Sequence, residues 1–167
     1  FSSVFDTDTV DFLEKKRCPI YKIASPEITD IPLLEKVAKT SKPVIISTGL
    51  ANTKDLNLAL KTLKKNKCKR IVILKCTSAY PAPLNELNLS SIKMIKSKYK
   101  TTVGFSDHSL GVLAPTIAVS LGAKVIEKHI NLEKNQKSVD GFFSLKIPEF
   151  QKMINNIRDT EKIIGNS

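Results

Sequence analysis

Two observations predict an α/β fold built on a parallel sheet. Short apolar runs rich in β-branched residues alternate six times with segments of helical periodicity, the runs starting roughly every 20–30 residues. Every run also delivers polar residues to its carboxyl end: Ser3, Ser25 with Glu27, Ser47, Ser78 with Tyr80, Ser106 with His108, and His129. Alternation of this kind gives strands covered by helices. The sheet can be doubly wound or closed as a (β/α)8 barrel. The Gly-rich dinucleotide fingerprint is absent, which weakens the doubly wound nucleotide-binding form. A ring of functional groups contributed by all strands is what a barrel mouth looks like.

The elements follow in order. Residues 1–5 read as a strand and 8–16 as a short helix. Residues 20–24 form a strand with Lys22 inside it. Asp30 can cap a helix that carries Pro32 in its first turn and runs to Lys39. Residues 43–47 are a strand that ends in Thr48-Gly49. Asn52 or Thr53 can cap the next helix, whose Leu56, Leu60 and Leu63 recur at helical spacing. Residues 70–75 are a strand, and 76–81 leave it as a loop. Residues 89–99 are helical, with Ile92 and Ile95 on one side. Two strands ending at His108 and His129 flank a crossover helix within 111–122. Residues 134–141 are polar and expected to form a mobile loop. Pro148 opens a final helix to Ile164, with Gly165 as its stop.

Composition narrows the function classes. The 167 residues suffice for one domain with a core. No apolar run approaches the roughly 20 residues of a membrane span, and no signal-peptide pattern is present. Cys18, Cys68 and Cys76 show no zinc spacing, and their odd number fits a reducing cytoplasm. Cys76 lies in an apolar strand and reads as core. The net charge of +11 raises the question of nucleic acid. The lysines lie mostly along helix faces, as Lys61, Lys64, Lys65 and Lys67 do. No aromatic residues interleave them, so no stacking platform forms. Neither nucleic acid nor membrane is expected as a partner. The overall field favours anionic small substrates.

The chemistry-bearing residues converge on strand ends. His108 and His129 are the chain's two histidines, each following a short apolar run of the buried parallel type. Parallel strands joined by one helix usually lie side by side. That brings the imidazoles together as a half-site for a divalent metal; the alternative is two unrelated surface histidines. Ser25, Ser47, Ser78 and Ser106 leave four successive strands, and with Lys22 they suit a phosphate or phosphoryl ester. Taken singly, a serine after a strand is most often a turn residue or cap. An unpaired lysine inside an apolar strand would be costly. Glu127 and Lys128 pose the same question, and pairing with neighbouring strands is the structural answer.

Five segments stand in order: Tyr21-Lys22-Ile23-Ala24-Ser25, Ile46-Ser47-Thr48-Gly49, Lys75-Cys76-Thr77-Ser78-Ala79-Tyr80-Pro81, Gly104-Phe105-Ser106-Asp107-His108 and Glu127-Lys128-His129. Together they resemble the catalytic barrel of the sialic acid synthase family, which makes the nonulosonic acids N-acetylneuraminate, legionaminate and pseudaminate. The resemblance spans essentially the whole chain. It implies a (β/α)8 barrel, of which residues 1–167 are about six of eight units. The first two units and a carboxyl-terminal antifreeze-like domain would then lie outside this sequence, and the chain alone is expected to be inactive. It also implies condensation of phosphoenolpyruvate with an N-acetylated amino sugar, dependence on Mn2+ or Mg2+, and a homodimer at full length.

By the same resemblance His108 and His129 bind the metal. Ser3, Lys22, Ser25, Ser47 and Ser106 surround phosphoenolpyruvate, with Ser78 as a further contact. Glu27 and Tyr80 serve the sugar side, and Asp140 stands near metal and sugar. Carbon 3 of phosphoenolpyruvate attacks the sugar aldehyde, water adds at carbon 2, and phosphate leaves by C–O cleavage. Val139-Asp140-Gly141-Phe142-Phe143-Ser144-Leu145 looks more like pseudaminate-type members than neuraminate-type ones, which usually carry Gly-Pro before the matching aspartate. Two other readings stay open: another phosphoenolpyruvate-dependent 3-deoxy sugar acid synthase, and a non-catalytic assembly or regulatory remnant.

Overall fold

The computed structural model describes residues 1–132 and 138–165. The class is the one predicted: α/β, with six parallel strands and intervening helices as in part of a (β/α)8 barrel. The chain divides into two compact units, Phe1–Leu74 and Lys75–Ser167.

The first unit contains β1 (Ser2–Ser3), α1 (Thr7–Lys15), β2 (Tyr21–Ile23), α2 (Ile31–Lys39), β3 (Val44–Ser47), α3 (Thr53–Lys65) and most of β4 (Ile71–Cys76). Its strands pair in parallel in the order β1-β2-β3-β4, with Ser3 opposite Lys22, Lys22 opposite Ile45, and Ser47 opposite Leu74. All three residues of β2 are buried, as expected of a parallel strand covered on both faces. Side chains start the helices here. The Asp6 carboxylate accepts from Thr9 N–H at 2.6 Å, and Asp30 accepts from Leu33 N–H at 3.0 Å. Asn52 accepts from Lys54 and Asp55 N–H while Asp55 accepts from Asn52 N–H, a reciprocal box at the start of α3. Asn52, not Thr53, is thus the cap. Leu33, Leu34 and Val37 of α2 and Leu56, Leu60 and Leu63 of α3 are buried with Ile23, Ile46 and Ile73 of the strands.

The second unit continues from the end of β4 through α4 (Ser91–Tyr99), β5 (Thr102–Asp107), α5 (Leu113–Ser120), β6 (Ile126–Lys128), β7 (Ile130–Asn131), β8 (Leu145–Lys146) and α6 (Ile147–Ile164). β5 and β6 pair in parallel, with Phe105 opposite Ile126, Ser106 opposite Glu127 and Asp107 opposite Lys128. α6 carries Pro148 in its first turn, ends at Gly165, and packs on α5. Val103, Phe105, Ala114, Ala118, Leu145 and Met153 are buried in this unit.

Three features differ from expectation. The strand expected at 1–5 pairs only at Ser2–Ser3, because the Asp6 cap starts the helix at Thr7 and leaves Phe5 exposed. Pro26–Thr29 and Leu84–Glu86 are 3-10 turns. Just beyond His129, β7 and β8 form a separate parallel pair, Ile130 with Leu145 and Asn131 with Lys146. Of the loop expected at 134–141, residues 134–137 lie outside the described residues; its remainder is a turn in which Gly141 N–H donates to the Ser138 carbonyl at 3.0 Å. Among the described residues no helix is long and apolar enough to cross a membrane.

Burial separates two leucines on neighbouring helices. Leu34 is fully buried and Leu58 is 51% exposed. Leu34→Ala is expected to destabilise by about 2–5 kcal/mol, and Leu58→Ala by no more than about 0.5 kcal/mol. Chemical denaturation of the two variants checks the contrast; equal losses would place the core elsewhere.

Candidate active site

Polar groups gather at the strand ends of each unit. In the first, alternation turns Lys22 away from the face of Tyr21 and Ile23, and its register partner on β1 is Ser3. Lys22 is only 4% exposed. Ser25 follows β2, and its Oγ accepts from Gly49 N–H at 2.9 Å, which ties the exits of β2 and β3 together. Glu27 sits in the 3-10 turn after Ser25. Glu27 Oε2 and Ser47 Oγ are buried without a hydrogen-bond partner. Buried polar atoms are nearly always paired, so these mark places where a bound molecule can supply the partner.

In the second unit the two histidines stand at the ends of adjacent strands, His108 after β5 and His129 after β6. Their ring centroids are 5.3 Å apart and nearly edge to face. His108 is buried, and its Nδ1 lies 3.0 Å from the Thr77 carbonyl. A carbonyl only accepts, so that contact places a proton on Nδ1 and leaves the lone pair on Nε2. Cys76 Sγ lies 3.8 Å from the same nitrogen. His129 Nδ1 is 3.5 Å from Asp140 Oδ2. Tyr80 covers His108 with centroids 4.2 Å apart and reaches His129 at 6.3 Å. The buried Phe143 ring stands 4.9 Å from His129 and 5.7 Å from Tyr80.

The imidazoles differ electrostatically. Burial lowers the His108 pKa, but the Cys76 sulfur, the Thr77 carbonyl and Asp107 outweigh it, so the value lies above the ordinary one. Burial, followed by repulsion from His108, holds His129 below its ordinary value against the pull of Asp140. A proton therefore competes more strongly for His108 than for His129.

This donor set fits a divalent metal. His108 presents a lone pair, its other nitrogen is held from behind as in many metal-ligating histidines, and His129 lies beside it. Among the described residues no group of three or more His, Cys, Asp or Glu could hold a metal, so these two rings are the ligands that the described residues offer.

The structure brings His108, His129, Tyr80 and Asp140 together, and it adds Phe143, Thr77 and Cys76. Ser106 is buried beside them, and its Oγ donates to Glu127 Oε1 at 2.6 Å. Ser78 lies on the Tyr80 loop, and its Oγ is buried. Ser3, Lys22, Ser25, Glu27 and Ser47 belong to the first unit. Phe143, to which sequence reasoning assigned no separate role, packs on both histidines. Nothing in residue type marks the Thr77 carbonyl, since any residue supplies one. A Cβ at Gly141 would come within 2.8 Å of Ser138 Oγ, 3.1 Å of Asn131 Nδ2 and 3.2 Å of the Ser138 carbonyl oxygen, so a larger residue there requires these groups to shift.

Comparison with known proteins agrees with the resemblance read from the motifs. Residues 1–167 match the NeuB family. The chain is 44% identical over 166 residues to the N,N'-diacetyllegionaminic acid synthase of Campylobacter jejuni subsp. jejuni serotype O:2, covering 98% of this chain and 50% of that protein. It is 44% identical over 165 residues to the pseudaminic acid synthase of the same strain, covering 99% and 48%. The crystal structure of the N-acetylneuraminic acid (sialic acid) synthetase from Leptospira borgpetersenii serovar Hardjo-bovis, in complex with citrate, matches at a TM-score of 0.96 and 35% identity, over 100% of this chain and 58% of that one. The chain spans about half the length of the curated relatives it matches. With a family match along its whole length and paired histidines where β5 and β6 end, this chain belongs to the NeuB family.

Proposed function

We propose that the protein carrying this chain is a nonulosonic acid synthase that condenses phosphoenolpyruvate with an N-acetylated amino sugar and releases phosphate, in cell-surface carbohydrate biosynthesis. The observation that carries the reading is the pair of imidazoles 5.3 Å apart at adjacent strand ends, one with its Nδ1 3.0 Å from the Thr77 carbonyl oxygen. The names of the synthases that the chain resembles support it.

Each set of side chains has a role in this reaction. In the first unit Lys22 and the hydroxyls of Ser3, Ser25 and Ser47 are the donors for the phosphate and carboxylate of phosphoenolpyruvate, holding it for attack by its carbon 3; in the second, Ser78 is a further donor, and Ser106 can serve only if its hydroxyl turns away from Glu127. Glu27, with one buried oxygen unpaired, orients the sugar or moves a proton. His108 and His129 would hold Mn2+ or Mg2+, which when bound polarises the sugar aldehyde as a Lewis acid. Asp140 orients His129 from behind and stands near the sugar. Tyr80 and Phe143 cover the imidazoles and limit water around them. Carbon 3 of phosphoenolpyruvate bonds to the aldehyde carbon, water adds at carbon 2, and the C–O bond to phosphate breaks.

Phe142 is 69% exposed and stacks edge-on against Phe143 at 5.1 Å, so it offers a sugar an apolar wall. A 6-deoxy diacetamido sugar presents a methyl where mannosamine presents a hydroxyl. We therefore assign the 6-deoxy sugar as the preferred substrate.

Three measurements on the full-length protein test the reading. His108→Ala and His129→Ala should each weaken Mn2+ binding in calorimetry by at least about 100-fold, more than loss of an outer-shell partner would; unchanged affinity in both sinks the metal site. Lys22→Ala should weaken phosphoenolpyruvate by about 1.5–3 kcal/mol, the scale of a charged hydrogen bond, while the sugar KM stays nearly constant; equal effects on both substrates would make Lys22 structural. Offered both sugars, the enzyme should favour the 6-deoxy one in kcat/KM by about 1–3 kcal/mol. A preference for N-acetylmannosamine would overturn the substrate assignment and leave the reaction standing.

A further inference from the structure

Each histidine is preceded by a charged residue, Asp107 before His108 and Lys128 before His129, and these two are register partners across β5 and β6. Their side chains are 0% and 1% exposed, and Lys128 Nζ meets Asp107 Oδ2 at 2.7 Å. The other carboxylate oxygen, Oδ1, accepts from Ser109 N–H at 2.8 Å and from Ser109 Oγ at 2.7 Å. Lys128 Nζ also donates to the Ser109 carbonyl. Both neighbours of His108 in the chain are therefore bound to the residue that precedes His129.

Stability alone is a poor account of this arrangement. Removing two charges from water costs several kcal/mol per ion, and apolar residues of similar volume often hold a core as well or better. What an ion pair adds is direction. A carboxylate with two fixed oxygens and an ammonium with fixed acceptors set strand register and turn geometry, which apolar contact leaves looser.

We propose that Asp107 and Lys128 are positioning residues whose buried ion pair, completed by Ser109, fixes the spacing and orientation of His108 and His129. The proposal rests on the reading of those histidines as a functional pair. Asp107 clamps the turn that carries His108, and through it the approach of Nδ1 to the Thr77 carbonyl. Lys128 fastens the same turn to the strand that carries His129.

The test uses the full-length protein with Asp107→Leu, Lys128→Met and the double variant. Two quantities are read at a temperature where each is folded: Mn2+ affinity, and the imidazole 15N signals of His108 and His129 without metal. Each single variant should lower the melting temperature, weaken Mn2+ about 10–100-fold, and move His108 from the Nδ1–H form toward a tautomer mixture. The double variant leaves no buried unpaired charge, so its melting temperature should recover toward wild type while affinity and imidazole signals do not. A double variant that regains all three makes the pair mere packing and overturns the proposal, as do unchanged imidazole signals in either folded single variant. Should a single variant fail to fold, the double variant decides. If the wild-type protein binds no Mn2+, the metal reading fails, and the metal-free imidazole signals still decide the positioning role: shifted signals support it and unchanged ones overturn it.

Discussion

The parallel pairing of β5 with β6 decides where the chemistry of the second unit stands. Consecutive residues of a strand point to opposite faces, so a one-residue slip would exchange the faces of every side chain. Two successive register pairs carry side-chain bonds here: Ser106 with Glu127 at 2.6 Å and Asp107 with Lys128 at 2.7 Å. Because the pairs are successive, one bond lies on each face of the sheet. Either slip would break both and leave Asp107 charged in a buried place. His108 and His129 extend the two strands past this lock, and their separation follows from it. Tyr80 and Phe143 pack against rings whose places are already set.

Much of this was legible in the sequence, and for physical reasons. The apolar runs before His108 and His129 are parallel strands because both faces of such strands are covered, and one intervening helix makes them neighbours. Asp30 with Pro32, and Asn52 with Asp55, announce helix starts through residue types that satisfy open N–H groups. Glu127 and Lys128 were readable as a question about charge inside a strand. Register, which the sequence does not print, answers it. The short β7–β8 pair was beyond reach, since two residues carry no period. Phe143 could not be assigned either, because helix packing and a site wall both want a buried aromatic ring.

In the first unit the informative signal is a cost left standing. Ser25 has its partner in Gly49 N–H, while Ser47 Oγ and Glu27 Oε2 are buried with none. An unmade hydrogen bond on a buried polar atom costs about 1–3 kcal/mol. Folding alone gives no return for that, whereas a ligand offering acceptors to Ser47 and a donor to Glu27 would. The two serines of this unit thus differ: Ser25 Oγ already accepts from a backbone N–H, while Ser47 Oγ is met by nothing. Residue identity could not separate them.

The charge of the chain gains a local explanation from the helices. Lys15 of α1, Lys36 and Lys39 of α2, Lys64 and Lys65 of α3, Lys96 and Lys98 of α4, and Lys162 of α6 all lie in last helical turns. Cations there interact favourably with the negative end of the helix dipole and with open carbonyls. In a βα unit the helix runs back against its strand, so helix ends lie beside strand beginnings, away from the carboxyl ends of the strands. Helix termini thus account for eight of the chain's 27 lysines and arginines. An anionic substrate at the strand ends would meet few of those lysines directly. The nearly buried Lys22 is not among these helix-end cations, and the overall composition does not reveal it.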